Sequence, residues 1–290
     1  MKKHGFTTRV MNCAALALIF AFTAQAQNNR SFVATTGNDA NTCSASAYCR
    51  TFTRALAVTN SGGEIVVVNS GGYGPATITQ AVVITAIGID ASITATSGNA
   101  LTINTSGNVT ITGLNLNGGG TANDGVHVQG VGFLRLYNMQ IQGFTSDGIN
   151  LTAGSLTLND SKINDCNNGL YQTGGVAYVR NTEFDNNLTF GAYSQGGNMT
   201  IADSSAHYNG DGFVVGGGAM VLDNDRAMFN TIGMLSVFGT LNFTGCLIAG
   251  NTYAYDVLPS STMAGSSPGT SLITPGQMTS GALSAAQGLF

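Results

Sequence analysis

Glycine recurs at a fixed step through the second half of this 290-residue chain, and that step restricts the fold more than any other feature. One line of glycines, separated by 21 to 23 residues, is Gly125, Gly148, Gly169, Gly191, Gly212 and Gly233. A second line keeps nearly the same step at Gly132, Gly154, Gly175, Gly197, Gly218 and Gly239. Two independent markers with one period predict a stack of similar structural units.

Each unit has short runs in which apolar and polar residues alternate, a pattern that is typical of β-strands. Three such strands fit into one unit, and no part of the unit has helical periodicity. Asparagines stand at the turns and can hydrogen-bond along the stack, as in the line Asn187, Asn209, Asn230 and Asn251. We therefore predict an all-β fold, a right-handed parallel β-helix of nine or ten coils with 21–22 residues per coil. The leucine-rich-repeat alternative needs the motif L-x-x-L-x-L-x-x-N, which is absent.

The composition excludes several other classes of protein. Only 8% of the residues are charged, 40 are glycine, none is tryptophan, and the net charge is −4. A charge-rich disordered chain and a coiled coil both need far more charged residues. A protein that binds nucleic acid needs a basic face, so we expect no nucleic-acid partner.

The N-terminus has the pattern of a secretory signal peptide over residues 1–26. Lys2, Lys3 and Arg9 precede the apolar run CAALALIFAF, and Ala24-Gln25-Ala26 fits a cleavage site. The apolar run is too short for a transmembrane helix, and no later segment reaches that length. We predict a secreted, periplasmic or cell-surface protein without a transmembrane span.

Export permits disulfide bonds, and four cysteines follow the predicted cleavage site. Cys43 and Cys49 lie close together in the polar loop CSASAYC, so we expect a local disulfide between them. Cys166 and Cys246 are separated by about four coils, too far for a disulfide, and we expect both to face inward.

Three further segments are predicted after the signal peptide. Residues 27–62 form an N-terminal cap with a strand, the cysteine loop and a helix over 51–59, residues 63–257 form the β-helix, and residues 258–290 form a low-complexity tail. The tail, which has no charge, is open to two interpretations: a disordered linker, or an irregular cap.

The stretch FVATTGNDANTCSASAYCRTFTRALAVTNSGGEIVVVNSGGYGPATIT resembles the opening of many exported bacterial right-handed β-helix proteins. The later units with Asp-Gly or Asn-Gly before an apolar residue resemble the same proteins, so the resemblance extends over most of residues 31–256. It implies the pectin-lyase-like fold. Members of that superfamily include pectate lyases, polygalacturonases and alginate-type lyases or epimerases, together with many proteins of no known activity.

The activity motifs of those enzymes are absent. None of the polygalacturonase motifs Asn-Thr-Asp, Asp-Asp, Gly-His-Gly and Arg-Ile-Lys stands in this sequence, and the epimerase motif Asp-Pro-His-Asp is absent too. The coils from 125 to 254 have nearly constant length, so none carries a long loop of the kind that walls a cleft.

One polar cluster remains as a candidate catalytic site. Asp124 and Asp147 hold the same position in neighbouring coils, and so do His127 and Asn150. Two carboxylates about 5 Å apart could bind Ca²⁺ or act as an acid and a base, and Arg135 could supply a basic group. The alternative interpretation is ordinary turn chemistry, because Asp-Gly is a common turn dipeptide.

The outward row that contains His127 and Asn150 continues as Tyr171 and Tyr193. Stacked tyrosines on a flat sheet can pack against sugar rings or another protein, or they can form an inert outer ladder. The missing motifs and loops favour a non-catalytic surface or matrix protein that binds carbohydrate or a cell-surface partner, with no cofactor. The alternative is a divergent lyase or glycoside hydrolase that acts on acidic polysaccharide, with Ca²⁺ as the candidate metal.

Overall fold

A computed structural model describes residues 28–265 and the backbone of 272–273, 278–280 and 284–285. The predicted signal peptide lies outside the described residues. The described chain is a right-handed parallel β-solenoid of about nine turns with about 22 residues per coil and one short helix. The predicted all-β parallel β-helix is thus confirmed.

Three parallel sheets form the sides of the solenoid. The long sheet has twelve strands: Asn28–Val33, Thr59–Val67, Val82–Thr85, Asn108–Thr112, Phe133–Tyr137, Ser155–Asn159, Val176–Arg180, Asn198–Ala202, Ala219–Asp223, Thr240–Thr244, Thr262–Gly265 and Ser284–Ala285. The tyrosine sheet, named for Tyr171 and Tyr193, has ten strands: Ala76–Ile78, Leu101–Asn104, Val126–Gly130, Asp147–Leu151, Asn168–Gln172, Phe190–Ser194, Asp211–Val215, Ile232–Ser236, Tyr253–Val257 and Met278–Ser280. The narrow sheet has ten short strands: Gly71–Gly72, Ala91–Thr94, Leu114–Asn117, Gln140–Gln142, Lys162–Asn164, Glu183–Asp185, Ser205–His207, Arg226–Met228, Leu247–Ala249 and Leu272–Ile273.

The core consists of apolar columns that run along the stack. Leu134 pairs in register with Leu156, which pairs in turn with Ala177, and all three are fully buried. Ile141, Ile163 and Phe184 form a similar column inside the narrow sheet. Because a strand turns alternate side chains to opposite faces, the same register places the polar residues between them on the outside.

The first glycine line packs coil against coil. A Cβ atom on Gly125 would lie 2.5 Å from the carbonyl oxygen of Gly148, and a Cβ on Gly212 would lie 2.6 Å from that of Gly233. The last glycine of the line, Gly233, meets the carbonyl oxygen of Ala254 in the same way. Each glycine therefore leaves room for the backbone of the coil that follows it.

The predicted asparagine line forms a buried ladder, which we call the neutral ladder, at the turn before the tyrosine sheet. The Oδ1 atom of Asn209 accepts hydrogen bonds from the backbone N–H and the Nδ2 atom of Asn187, at 2.9 and 3.0 Å. Asn230 accepts the same pair from Asn209, and Asn251 accepts it from Asn230. Each Nδ2 also donates to a backbone carbonyl, for example that of Phe184.

A second asparagine line lies at an exposed corner at the end of the long sheet. Its members Asn138, Asp160, Asn181, Asp203 and Asn224 all have positive φ, which Asn and Asp tolerate better than other residues. Asn181 Nδ2 donates to Asp160 Oδ1 at 2.6 Å, and Asn224 Nδ2 donates to Asp203 Oδ1 at 2.8 Å.

The one helix of the described chain runs from Phe52 to Val58, inside the range predicted for it. The Thr51 side chain accepts from Arg54 N at its start, and Phe52, Ala55 and Leu56 are buried against the strands beside the first coil.

Cys43 and Cys49 are joined by a disulfide in the loop before this helix. Cys166 and Cys246 lie buried, and their thiols donate to the carbonyls of Asn164 and Thr244. Burial raises the pKa of these thiols to about 11 and about 12.

Four short strands lie within the segment predicted as a tail, at Thr262–Gly265, Leu272–Ile273, Met278–Ser280 and Ser284–Ala285. They pair with strands of the preceding coil in all three sheets. Among the described residues, no helix is long and apolar enough to cross a membrane.

Candidate functional site

The sequence-predicted cluster lies at one edge and on the outer face of the tyrosine sheet. His127 and Asn150 are register partners in neighbouring strands, and Asn150 pairs in turn with Tyr171, which pairs with Tyr193. The predicted outward row is therefore continuous. Asp147 is the first residue of the strand that contains Asn150.

Asp124 and His127 form a close pair. The Asp124 Oδ2 atom lies 2.7 Å from His127 Nδ1, and Asp124 Oδ1 accepts the backbone N–H of Asp147 at 3.1 Å. The carboxylate is almost fully buried, whereas the His127 side chain keeps 24% of its surface exposed. This contact fixes the ring orientation and leaves Nε2 as the nitrogen that Asp124 does not engage, which is the arrangement of an oriented acid or base.

Asp147 repeats the same arrangement with a different partner. Its Oδ2 atom accepts from Asn150 Nδ2 at 2.6 Å and its Oδ1 atom accepts from Asn168 Nδ2 at 2.8 Å. Burial raises the pKa of the Asp147 carboxyl, the Asn168 hydrogen bond opposes this, and the nearby Asp124 carboxylate adds to the rise. We call the line Asn99, Asp124, Asp147 and Asn168 the acidic ladder, because Asn99 Oδ1 also accepts from Asp124 N.

The acidic ladder has incomplete hydrogen bonding. Asn150 Oδ1 and Asn168 Oδ1 are buried atoms without a donor in the described part of the chain. A buried acceptor without a partner carries a free-energy cost of about 1–3 kcal/mol. Such groups are uncommon in native structures and call for a reason.

The carboxylate oxygens of this cluster are already occupied by protein donors. Both oxygens of Asp124 and both of Asp147 accept hydrogen bonds, so a Ca²⁺ ion would have to displace them. Within residues 28–265, no group of three or more His, Cys, Asp or Glu side chains is placed to hold a metal ion.

Arg135 is not brought to the other candidate residues. It lies on the strand Phe133–Tyr137 of the long sheet, where its guanidinium group stands 4.7 Å from the centre of the Phe133 ring. The basic group expected beside Asp124 and Asp147 therefore belongs to a different side of the solenoid.

The two tyrosines belong to a cluster of three aromatic rings. The Tyr171 and Tyr193 ring centres are 5.2 Å apart, and Phe190 lies 4.7 Å from Tyr193. Tyr171 donates its hydroxyl hydrogen to Gln195 Oε1 in the next coil at 2.9 Å. Phe190 and Gln195 are site residues that the sequence did not indicate, although the coil step places Phe190 one unit after Asn168.

Gly216 makes room for this cluster. A Cβ atom at position 216 would lie 2.7 Å from Cε2 of Tyr193, so the phenol ring occupies the space in which a side chain would stand. Tyr171 and Tyr193 thus both lean onto the coil that follows them. Three half-buried rings form a continuous aromatic surface on the sheet.

A groove of about 500 Å³ lies elsewhere, at the exposed corner that holds Asp160, Asn181 and Asp203. The polar groups there are engaged with one another, and Arg180 pairs with Asp203 at 3.0 Å. The contacts therefore indicate a structural corner, and the groove lacks the aromatic rings of the tyrosine sheet.

Comparison with known proteins agrees with the observed coil. Residues 147–267 match the family model for the right handed beta helix region. The described chain has this right-handed β-helix fold. The parallel β-helix predicted from the repeat is confirmed by the three parallel sheets, and the match over residues 147–267 agrees with it.

One solved structure that this β-helix protein resembles is the crystal structure of pectate lyase Pel9A. The two share 16% sequence identity with a TM-score of 0.47, over 88% of this chain and 76% of the other. No curated protein matches the chain.

Proposed function

We propose that this β-helix protein is exported and binds carbohydrate without cleaving it, on the outer face of the tyrosine sheet. The observation that carries the proposal is the cluster of Tyr171, Tyr193 and Phe190, whose rings contact one another and are each partly exposed. Aromatic faces pack against the apolar faces of sugar rings, and the polar edges of tyrosine remain available for hydroxyl groups.

Retention on immobilised polysaccharides tests this proposal. The purified protein is passed over acidic, neutral and basic polymers, with and without calcium, and the chain length of each polymer is followed in parallel. We expect retention without shortening of the polymer. The double variant Tyr171→Ala/Tyr193→Ala should lose retention.

Tyr178→Ala provides the matched control for that variant. Tyr178 is a half-exposed tyrosine on the outer face of the long sheet, so its loss removes a similar ring from another side of the solenoid. Equal loss of retention in Tyr178→Ala and in the double variant would contradict the assignment to the tyrosine sheet.

A second function is favoured by one specific contact, the 2.7 Å hydrogen bond between Asp124 and His127. A histidine oriented by a buried carboxylate is suited to proton transfer, which is what a divergent lyase or hydrolase needs. Under this hypothesis polymer chains shorten on incubation, and Asp124→Asn and His127→Gln both abolish the shortening. Thermal stabilisation by calcium that is lost in Asp124→Ala would assign a metal to the same cluster.

We also propose that the helix Phe52–Val58 caps the first coil. Its buried residues Phe52 and Leu56 support this role, and Gln80 Nε2 donates to the carbonyls of Leu56 and Thr59 from the bend between the strands Ala76–Ile78 and Val82–Thr85. Leu56→Asp should expose the end of the stack and lower the free energy of unfolding.

Export through residues 1–26 belongs to the same proposal. N-terminal sequencing of the protein recovered outside the cytoplasm should give Gln27 as the first residue.

A further inference from the structure

The tyrosine sheet differs from the rest of the surface in the sign of its charges. Its strands contain Asp147, Asp211 and Asp256 but no lysine or arginine. The seven basic residues that follow the predicted signal peptide lie on the long sheet, the narrow sheet and the N-terminal segment: Arg30, Arg50, Arg54, Arg135, Lys162, Arg180 and Arg226. The strands of this sheet therefore offer a ligand carboxylates and no lysine or arginine.

Two of these carboxylates adjoin the aromatic cluster. Asp211 is the register partner of Phe190 in the next coil, and the charge of Asp147 acts on the Tyr171 phenol, whose pKa burial and this carboxylate both raise. Burial and the Asp256 charge raise the pKa of the Asp211 carboxyl to about 6, while the backbone of Ile232 opposes the rise. At pH 7 the carboxyl is thus mostly ionised although it is partly buried.

The carboxyl that a ligand on this face can reach is that of Asp211, which is partly exposed and lies beside Phe190 in the next coil. An ammonium group supplies three donors and no acceptor, and it is also attracted to the face of a tyrosine ring. A carboxylate ligand would meet acceptors and like charge instead.

We infer that the aromatic cluster of the tyrosine sheet binds oligosaccharides of basic amino sugars, whose free amino groups pair with Asp211 while their rings pack on Tyr171, Tyr193 and Phe190. This inference rests on the proposed carbohydrate-binding function and names its ligand class. It reverses the expectation of an acidic polysaccharide, because uronic acid carboxylates would be repelled by the same residues.

Three tetrasaccharides of equal length separate the ligand classes in calorimetric titrations at pH 7 and low salt: a glucosamine tetramer, its N-acetylated form and a galacturonic acid tetramer. We expect the glucosamine tetramer to bind at least about tenfold tighter than the N-acetylated form, as ammonium–carboxylate and ammonium–aromatic contacts allow. The galacturonic acid tetramer should give no measurable binding.

Two variants assign the binding to this face. Gly216→Ala places a methyl group where the Tyr193 ring lies, and it should weaken binding of both glucosamine forms about tenfold. Gly130→Ala is its control on the same sheet, since a Cβ there meets only the Asn104 side chain at 3.9 Å. Tyr193→Ala should reproduce the loss, and the thermal midpoint of each variant shows whether it is folded.

Asp211→Asn should weaken binding of the glucosamine tetramer and leave the N-acetylated form unchanged. Asp203→Asn removes the same net charge at the exposed corner of the long sheet and is its control. Equal weakening by the two variants would overturn the inference, since overall charge would then explain the attraction.

The remaining outcomes distinguish the inference from the function on which it rests. Binding of the galacturonic acid tetramer that depends on Tyr193 would overturn the ligand class and retain carbohydrate binding. Absence of binding of all three tetramers and of all polymers would overturn both. Glucosamine binding that is unchanged in Gly216→Ala and Tyr193→Ala would overturn the assignment to this sheet.

Discussion

The neutral ladder and the acidic ladder both join successive coils, but they do so with different side chains. Both lie beside the tyrosine sheet, and both link successive coils through hydrogen bonds between residues 21 to 25 positions apart. In the neutral ladder each asparagine repeats the contacts of the one before it. In the acidic ladder the partners change at every coil.

The two ladders differ in which polar atoms remain without a hydrogen-bond partner inside the stack. The amide groups of Asn187, Asn209 and Asn230 have their Oδ1 and Nδ2 atoms engaged within the stack. The acidic ladder buries two carboxylates, leaves Asn168 Oδ1 without a donor and directs its remaining contacts to His127 and Asn150 on the outer face. Asparagine suffices for stacking in the neutral ladder, so stacking alone does not require the two carboxylates.

The largest effect is expected from breaking the neutral ladder with Asn209→Ala. Asn187 would lose the acceptor of its backbone N–H and of its Nδ2 atom in a buried position, and the Phe184 carbonyl would lose a donor. We expect the free energy of unfolding to fall by about 2–4 kcal/mol, measured by urea denaturation.

Asn242→Ala is the control for that substitution, because Asn242 lies in the outward row of the long sheet. Its effect should stay within about 0.5 kcal/mol. Similar losses for the two variants would show that burial does not distinguish the neutral ladder from a surface asparagine.

A smaller effect, visible in its pH dependence, is expected when Asp147→Asn makes the acidic ladder neutral. The Asn168 amide can then rotate so that its unpartnered Oδ1 atom accepts from the new side chain. The folded state raises the pKa of Asp147 chiefly through burial, so it binds a proton more tightly than the unfolded chain does. This carboxyl therefore stabilises the fold most below its ordinary pKa of 3.8, and that contribution is lost as the pH rises through the folded value.

Urea denaturation at several pH values from 4 upward measures this difference. As the pH rises over that range, the free energy of unfolding of Asp147→Asn should fall less than that of the parent protein. Asp203→Asn is the opposite case, because hydrogen bonding by Asn224 and pairing with Arg180 lower the pKa of Asp203. A pH profile of Asp147→Asn that matches the parent protein would refute the assigned cost of the buried carboxylate.

The smallest effect is expected at the exposed corner, from Asn181→Gly. Asn181 also donates across coils, to Asp160, but from a solvated position. Glycine keeps the positive φ of 47° without strain, so only the exposed hydrogen bond is lost. The free energy of unfolding should change by less than about 1 kcal/mol, and a loss as large as that of Asn209→Ala would remove burial as the cause of the difference.

Much of this arrangement follows from the coil period. Positions one period apart become register partners, which is why the pairs His127–Asn150 and Tyr171–Tyr193 are predictable from the sequence. The period does not show how the three sheets are arranged around the core. It therefore could not separate Arg135, which lies on the long sheet, from the candidate residues of the tyrosine sheet.

Contacts that depend on side-chain torsion angles also could not be predicted from the repeat. The packing of Tyr193 over Gly216 and the turn of His127 toward Asp124 are set by rotamers, and repeat spacing carries no information about them. The neutral and acidic ladders look alike as sequence lines. Only their hydrogen bonds reveal which of them is complete.

The glycine line also determines how far the regular stack extends. Each of its residues accommodates the coil that comes after it, so the requirement passes in one direction only, and Ala254 holds the position after Gly233. The next strand, Met278–Ser280, pairs there with a register shift between Tyr253 and Tyr255. A designed extension with further coils of this geometry would therefore place glycine at 254, so that the next backbone could approach as closely as it does at Gly233.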